Sequence, residues 1–246
     1  MIEIINLFKK FNRHAVLAGV NLTIRDGETM VIIGRSGCGK SVLLKHVIGL
    51  MRPDEGQVIV DGQEVSRMTG AELNPLRLKF GMLFQGAALF DSLTVGENVA
   101  FSLREHTAMT EEQIQGRVKE CLGLVGLAGI EHLKPAELSG GMRKRVGLAR
   151  ALAMQPRVIL YDEPTTGVDP IMADTINRLI VQLHDHLNAT GIVVTHDMTS
   201  AYKVGTRIAM LHEGRIAQVG TVEEIRSTSD RVVRQFILGL SDNGGG

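Results

Sequence analysis

Short apolar runs separated by turn residues dominate the first third of the chain. They cover residues 2–7, 20–24 and 30–33, with Asp26-Gly27 marking a turn between the second and third. Two further short apolar segments flank Asp61-Gly62 within residues 58–65, a pattern typical of a hairpin. This third of the chain is therefore predicted to be rich in β-strand.

In the middle of the chain the apolar residues recur at helical spacing instead. Residues 110–127 follow this pattern, and Thr110 with Gln113 supplies a capping box where the helix would begin. A second helix is predicted from about residue 139 to 154, where Gln155-Pro156 would end it. The apolar positions of the first helix are Ile114, Val118, Cys121, Leu122 and Val125.

Strands and helices alternate in the last third. Residues 158–161 and 192–195 are continuous apolar or β-branched runs of the kind buried in a parallel sheet, with a predicted helix over 170–187 between them. A closing hairpin is predicted over 207–211 and 216–219, joined by Glu213-Gly214. A final helix over 229–238 and a frayed tail follow. The whole pattern predicts one α/β core with a helical insertion at about residues 86–155.

Composition and charge narrow the class of protein. The 246 residues are 44% hydrophobic and 22% charged, and Lys+Arg and Asp+Glu both number 27. This balance is that of a globular domain, and the neutral charge gives no support to a nucleic-acid-binding surface.

Two cysteines, Cys38 and Cys121, favour a reducing compartment. The apolar runs are much shorter than the roughly 20 residues of a membrane-spanning helix, and residues 1–10 lack a signal-peptide layout.

A glycine-rich segment between a buried-type strand and an amphipathic helix matches the pattern G-x-x-x-x-G-K-[ST]. Its glycines allow backbone N–H groups to face a phosphate, with the positive end of the next helix beside them. Lysine at the β- and γ-phosphates and a hydroxyl on Mg²⁺ complete this chemistry. The alternative to a phosphate-binding loop is an ordinary glycine-rich turn followed by a surface lysine. Cys38 is expected to occur here as a small residue that a tight loop tolerates. The segment consists of Gly34, Arg35, Ser36, Gly37, Cys38, Gly39, Lys40 and Ser41.

Two further polar sites follow predicted strands. Asp162 and Glu163 end the run at 158–161, where a parallel sheet presents its carboxyl edge to a ligand. We expect Asp162 to face the magnesium shell and Glu163 to act as the general base on water. Taken alone, Asp-Glu after a strand is more often an ordinary turn or helix start. His196 follows the run at 192–195 and is a candidate for positioning the attacking water; the other histidines are expected to be solvated.

Leu138-Ser139-Gly140-Gly141 stands before the Asp-Glu strand and resembles the LSGG signature of ATP-binding cassette (ABC) ATPases. The chain resembles this family over about residues 2–239, with the phosphate loop, Gln85, LSGG, Asp162-Glu163, Gly167-Val168-Asp169 and His196 in the family's order. The resemblance implies ATP and Mg²⁺ as cofactors. It also implies a P-loop NTPase fold of ABC type, with a RecA-like core, an antiparallel β subdomain and a helical subdomain.

Further roles are implied by the same resemblance. Phe11 would stack on adenine, although a packed core phenylalanine is nearly as good an interpretation. Gln85 would contact magnesium together with Ser41 and Asp162, or be an ordinary polar strand end. Ser139, Gly140 and Gly141 would bind the ATP held by a second copy of the chain. Since one chain carries one loop and one signature, two cassettes must meet to complete each site.

The ABC domain implied by the resemblance covers residues 1–240. Residues 1–85 and 156–240 would form the catalytic core with the β subdomain, residues 86–155 the helical subdomain, and residues 241–246 a flexible tail. Met142 stands where glutamine is frequent after LSGG, and Arg35 where many cassettes have proline. Neither change removes a phosphate ligand or the expected base, so active hydrolysis is expected.

Several stretches look more specifically like the ATPases of bacterial Mla/Mkl-type phospholipid transporters. They lie at residues 83–90, 103–107, 138–142 and 230–236. Such ATPases work with an MlaE-type permease and MCE-domain lipid-binding proteins, so the resemblance implies a position for this chain on the cytoplasmic face of a bacterial inner membrane. Residues 86–106 would face the permease, with packing the safer interpretation for Phe90, Leu93 and Phe101. The alternatives are a small-solute importer ATPase, of amino-acid type, and a soluble ABC ATPase of nucleic-acid repair or translation.

Overall fold

The computed structural model describes residues 1–12 and 14–240. The predicted tail at 241–246 lies outside these residues. The strands are β1 (Ile2–Phe11), β2 (His14–Ile24), β3 (Thr29–Ile33), β4 (Glu55–Val60), β5 (Gln63–Glu64), β6 (Phe80–Leu83), β7 (Val158–Asp162), β8 (Thr190–Thr195), β9 (Arg207–His212) and β10 (Arg215–Thr221). The helices are α1 (Lys40–Val47), α2 (Gly70–Arg77), α3 (Val95–His106), α4 (Glu111–Leu124), α5 (Gly140–Leu152), α6 (Pro170–Leu187), α7 (Met198–Val204), α8 (Val222–Arg226) and α9 (Arg231–Ile237).

The chain forms two compact units, and the first joins residues from both ends of the sequence. It contains Met1–Asn74 and the chain from Ile192 onward. One sheet in this unit is antiparallel, with strand order β2-β1-β4-β5. Beside it, β10, β9, β3 and β8 are successive neighbours, with β9 parallel to β3 and antiparallel to β10. All five residues of β3 are buried, as expected of a strand covered on both faces.

Both hairpins expected from Asp-Gly and Glu-Gly pairs are present in this unit. Val60 pairs with Gln63 around Asp61-Gly62, and Arg215 pairs with His212 around Glu213-Gly214. All four turn residues have positive φ, between 46° and 78°. Two-residue turns of this hand match the twist of the strands they join, so these predictions from turn residues are confirmed.

The helix α1 of this unit buries a histidine. His46 is 1% exposed, its Nδ1 lies 2.7 Å from the carbonyl oxygen of Val42, and its buried Nε2 has no hydrogen-bond partner. Burial is the main cause that lowers the pKa of His46, and the charge of Lys9 adds to it, whereas Asp54 and two backbone carbonyls oppose it. The folded state therefore favours the neutral ring, with Nδ1–H donating to Val42.

This histidine is expected to make the folded state less stable in mild acid. Its folded pKa lies below the ordinary value of 6.5, so the unfolded chain binds the proton more readily and stability falls as the pH drops below that value. We expect His46→Gln to weaken this acid dependence, measured as the change in Tm between neutral and mildly acidic buffer. His132→Gln, at an exposed histidine, is the control. Equal acid dependence in wild type and His46→Gln would contradict the assignment.

The second unit, Pro75–Gly191, combines a parallel strand pair with helices. β6 and β7 pair in parallel, with Phe80 opposite Val158 and Leu83 opposite Tyr161. The helices α3 and α4 both begin with complete capping boxes, Thr94 with Glu97 and Thr110 with Gln113. The predicted start of α4 at its capping box is therefore confirmed. The predicted division of the chain at residues 86 and 155 stays a prediction.

The strands β1 and β2 are longer than predicted, and the helix α3 was not predicted at all. β1 runs on to Phe11, and β2 begins at His14 rather than near residue 20, because bulges shift their pairing where the apolar alternation breaks. The buried face of α3 includes Asn98, which interrupts the apolar pattern and is satisfied by bonds to the backbone of Phe90, Leu93 and Thr94.

Among the described residues, none of the helices combines the length and the apolar character needed to cross a bilayer.

Candidate active site

The glycine-rich loop begins directly after β3 and is shaped by close backbone contacts. A Cβ on Gly34 would lie 2.4 Å from the carbonyl oxygen of Leu211 and 2.7 Å from Sγ of Cys38. Gly39 has φ of 106° and a side chain there would press on Val16 and Leu17. Only glycine fits both positions. Between them, residues 35–37 are exposed, so the middle of the loop is open to a ligand.

The helix that follows presents an uncapped N-terminus to this loop. Gly39 is the N-cap of α1 and has no side chain to accept from the first-turn N–H groups. Such N–H groups, with the positive end of the helix, suit an anion. Lys40 is buried beside them, and its Nζ donates to the carbonyl oxygens of Gly34 at 2.9 Å and Arg35 at 3.2 Å. Ser41 lies in the first turn of α1.

Two buried carboxylates end β7 in the second unit. Asp162 is the last residue of the strand, and Glu163 follows it; both are less than a tenth exposed. Glu163 has φ of 50°, an unusual value for a residue other than glycine, and Thr166 Oγ1 donates to its Oε2 at 3.1 Å. This conformation costs free energy that the surrounding structure must offset, and such residues occur at functional sites as well as in turns.

The other sequence-predicted residues lie at strand ends or on the surface. His196 is exposed directly after β8, the neighbour of β3, and Asp197 caps the helix that follows. Gln85 is exposed after β6, and its carbonyl oxygen accepts from Lys144. Phe11 lies at the end of β1, paired with His14 and 42% exposed, so it is not a core residue. An exposed ring is compatible with stacking on a base.

The signature segment forms the start of α5. Ser139 is its N-cap, exposed, and its Oγ accepts from the N–H of Met142 at 3.2 Å, which leaves the hydroxyl hydrogen to be donated. A Cβ on Gly140 would meet nothing closer than 3.9 Å, so its backbone is open to a ligand. At Gly141 a Cβ would lie 2.4 Å from Cγ of Met172, which gives this glycine a packing role in addition to the predicted one.

One contact in this unit was missed by sequence reasoning. Lys144, on α5, is 6% exposed, and its Nζ donates to the carbonyl oxygens of Gln85 and Glu163. A lysine on the apolar side of a helix, among the buried residues Gly141, Val146 and Leu148, was the available signal. Buried lysines are rare unless they are paired, so a lysine at this position indicates an ammonium that binds buried acceptors.

The glycine loop, its lysine and the uncapped helix after a buried strand define a P-loop nucleotide-binding protein. Among P-loop proteins, the LSGG segment at the start of α5 indicates an ATP-binding cassette. The family model described as ABC transporter matches residues 17–166, and this chain belongs to that family, whose ATP-binding cassettes are ATPases coupled to transport. The predicted P-loop fold of ABC type, with an antiparallel sheet, a mixed sheet and helices, is confirmed.

Similar proteins of known name cover nearly all of the chain. Mkl of Mycobacterium tuberculosis, named a probable ribonucleotide transport ATP-binding protein, is 44% identical over 97% of this chain, which spans 66% of that protein's length. The intermembrane phospholipid transport ATP-binding protein MlaF of Haemophilus influenzae is 40% identical over 98% of this chain and 92% of its own. ATP-binding proteins named for sulfate and methionine import match as well. The predicted resemblance to Mla/Mkl-type ATPases is confirmed.

A solved structure supports the same fold. The dimeric ATP-binding cassette MJ0796, in a post-hydrolysis state bound to ADP and phosphate, superposes with a TM-score of 0.84 at 36% identity, over 90% of this chain and 99% of that one.

Proposed function

We propose that this chain is the ATP-hydrolysing subunit of a membrane transporter that moves phospholipid. The observation that carries the ATPase part is the uncapped start of α1 behind a loop with Gly34 and Gly39 at positions that only glycine fits. Backbone N–H groups and a lysine offered together suit a polyphosphate. Family membership supports the coupling of this chemistry to transport.

The residues present fit ATP with magnesium. Lys40 gives an ammonium for the β- and γ-phosphates, and the loop of residues 34–39 gives N–H groups. Ser41, Asp162 and Gln85 are oxygen donors, the kind that Mg²⁺ prefers. Magnesium, when bound, supplies charge neutralisation at the phosphates. The exposed ring of Phe11 is proposed to stack on adenine.

Hydrolysis then requires a base that takes a proton from water. We assign this step to Glu163: its carboxylate accepts the proton as the water oxygen bonds to the γ-phosphorus and the bond to the ADP oxygen breaks. The bond from Thr166 to Oε2 holds the carboxylate in one orientation. His196 is proposed to orient the water, as an exposed imidazole at the end of β8.

A second copy of the chain is proposed to complete each site. Ser139 is exposed at the start of α5, and the half-buried Gly140 next to it has open space around its backbone, which suits contact with a phosphate from outside the chain. In the same unit Ile171, at the start of α6, is 82% exposed, an unusual exposure for so apolar a residue. The related cassette MJ0796 is dimeric. ATP between two copies would hold them together, and its hydrolysis would release them.

An exposed aromatic pair supports a permease contact in the segment after Gln85. The rings of Phe90 and Phe101 contact each other at an interplanar angle of 40°, with centroids 4.9 Å apart, yet they are 45% and 41% exposed. The expectation that both are packing residues is therefore wrong: they pack on each other and leave an apolar surface open. Large aromatic side chains at a surface favour a protein interface.

Phospholipid is proposed as the transported substance because the match to MlaF extends over 92% of that relative. The permease would be MlaE-like, with an MCE-domain protein in the same complex, at the cytoplasmic face of a bacterial inner membrane. An importer of small solutes is the second candidate, favoured by the matches to sulfate and methionine import proteins.

The test is purification of the full chain from membranes of cells that contain its native partners. We expect an integral-membrane protein and glycerophospholipid to copurify with the wild-type chain. We expect Phe90→Ser with Phe101→Ser to lose the membrane protein and still bind ATP, since these rings lie on the apolar surface rather than in the phosphate loop. Leu50→Ser, at another exposed apolar side chain, is the matched control.

The possible results separate the candidates. Recovery of a membrane protein without lipid, but with a small solute that stimulates hydrolysis, would support an importer. Purification with a soluble nucleic-acid complex would contradict transport. A double variant that retains the membrane protein would show that the permease contacts another surface.

A further inference from the structure

Lys144 occupies a position where one side chain reaches two elements of the proposed hydrolytic site. It lies in the second turn of α5, the helix that begins with the signature. Its Nζ is 3.0 Å from the carbonyl oxygen of Gln85 and 3.1 Å from that of Glu163. An ammonium has three N–H donors that can point to separate acceptors, so both bonds form at once.

The carbonyl that Lys144 holds belongs to a residue in an unusual backbone conformation. Glu163 has φ of 50°, a left-handed region that is unfavourable for residues other than glycine. Its carbonyl orientation is coupled to its φ and ψ, and these set the direction of the side chain. A bond to the carbonyl oxygen therefore helps to decide where the carboxylate points.

The segment after Gln85 is also held by α5. Ala87 and Ala88 have φ of 63° and 47°, and Arg150 donates to both of their carbonyl oxygens. Gly147 lies between the two basic residues, and a Cβ there would come within 3.2 Å of Cβ of Ala87. One face of α5 thus holds the whole turn that leads toward the exposed Phe90.

Two opposing effects act on the charge of Lys144, and burial is the larger. Burial lowers the pKa of Lys144, and the carboxylates of Glu163 and Asp162 act in the opposite direction. Each carboxylate is itself buried, so the ammonium offsets part of the cost of placing negative charge there. An apolar side chain would lose both this field and the two bonds.

We infer that Lys144 is a positioning residue for ATP hydrolysis: by holding the carbonyls of Gln85 and Glu163 on one ammonium, it aligns the Glu163 carboxylate and ties that alignment to the turn at Gln85. The inference rests on the proposed role of Glu163 as base. It gives a physical route by which a change in the segment after Gln85, where the permease contact is proposed, alters the rate of hydrolysis without changing any phosphate ligand.

The first test is steady-state ATP hydrolysis by the full-length chain with Mg²⁺. We expect Lys144→Met to lower kcat by about 10- to 100-fold with little change in KM for ATP, since small displacements of a catalytic group have effects of this size. Lys144→Arg, which keeps the charge and the donors, is expected to recover most of kcat. Lys119→Met, at an exposed lysine of α4, is the matched control.

A double-mutant cycle separates positioning from simple support of the fold. Thr166→Val removes the hydroxyl bond to the Glu163 carboxylate, and Lys144→Met removes one of two bonds to the Glu163 carbonyl oxygen, the other coming from the N–H of Thr166 at 3.3 Å. If both residues align the same group, each substitution should lower kcat clearly less in the variant that already carries the other one than it does in the wild type. The reason is that effects on a shared group are not additive. Additive losses, or a Lys144→Met variant with normal kcat, would overturn the inference.

A replacement variant and a variant of Glu163 distinguish a structural role of Lys144 from a positioning role. Should Lys144→Met fail to fold, Lys144→Gln replaces it, and parallel loss of kcat, ATP affinity and Tm without rescue by arginine would show a structural role only. Glu163→Gln is measured beside them. If it hydrolyses ATP normally, the proposed base is wrong; if it is inactive while Lys144→Met is normal, only the inference about Lys144 falls.

Discussion

Glu163→Gln is expected to lower the rate of ATP hydrolysis by about 10²-fold or more, the contribution of a positioned general base. The amide has the size of the carboxylate and can still accept from Thr166 Oγ1, which lies 3.1 Å from Oε2, but it cannot take up the proton. ATP affinity should stay near that of the wild type. Because binding persists without hydrolysis, we expect the ATP-bound pair of chains to accumulate, measured by size-exclusion chromatography with Mg²⁺ and ATP.

The control for this variant is Glu112→Gln, at an exposed glutamate in the first turn of α4. It should hydrolyse ATP like the wild type and dissociate after turnover. Near-normal hydrolysis by Glu163→Gln would show that another group takes the proton, whereas loss of ATP binding would show that the substitution disturbs the strand end instead of the chemistry.

Lys40→Ala is expected to weaken ATP binding by about 10- to 100-fold and to reduce hydrolysis to background. A hydrogen bond to a charged group contributes roughly 1.5–3 kcal/mol, and each 1.4 kcal/mol corresponds to a tenfold change in affinity. In this structure Lys40 Nζ donates to the carbonyl oxygens of Gly34 and Arg35. Part of the loss will therefore reflect a less ordered loop, which a titration with ATP and with ADP separates: the loss of a γ-phosphate contact affects ATP more.

Lys45→Ala is the matched control, because it removes an exposed lysine from the last turn of the same helix. Its affinity for ATP should equal that of the wild type. If Lys40→Ala bound ATP with unchanged affinity, the loop after β3 would not be the phosphate site and the assignment of residues 34–41 would be wrong.

Part of the molecule follows from local sequence alone. The two tight hairpins follow from Asp61-Gly62 and Glu213-Gly214, since few residues adopt positive φ without cost. The start of α4 follows from Thr110 and Gln113. The proposed phosphate loop and signature are equally local: each is a contiguous segment whose residue types have a direct chemical reason, so each could be proposed from the sequence alone.

Features that depend on contacts between distant parts of the chain could not be predicted from local sequence. α3 escaped prediction because the buried Asn98 is satisfied by the backbone of a preceding loop, which no periodicity of apolar residues reveals. The exposure of Phe90 and Phe101 was predicted wrongly, because aromatic residues are usually buried and only the packing of their neighbours decides otherwise.

The sequence by itself determined the family, and it predicted the nucleotide chemistry and the residues proposed to carry it, because these reside in short segments with strict residue requirements. Only the tertiary structure decided that Glu163 adopts a left-handed backbone conformation and that Lys144 holds it together with Gln85. These bonds join residues 59 and 19 positions apart. Contacts over such separations depend on how the helix α5 packs against β6 and β7, and this packing is a property of the folded chain that no local pattern records.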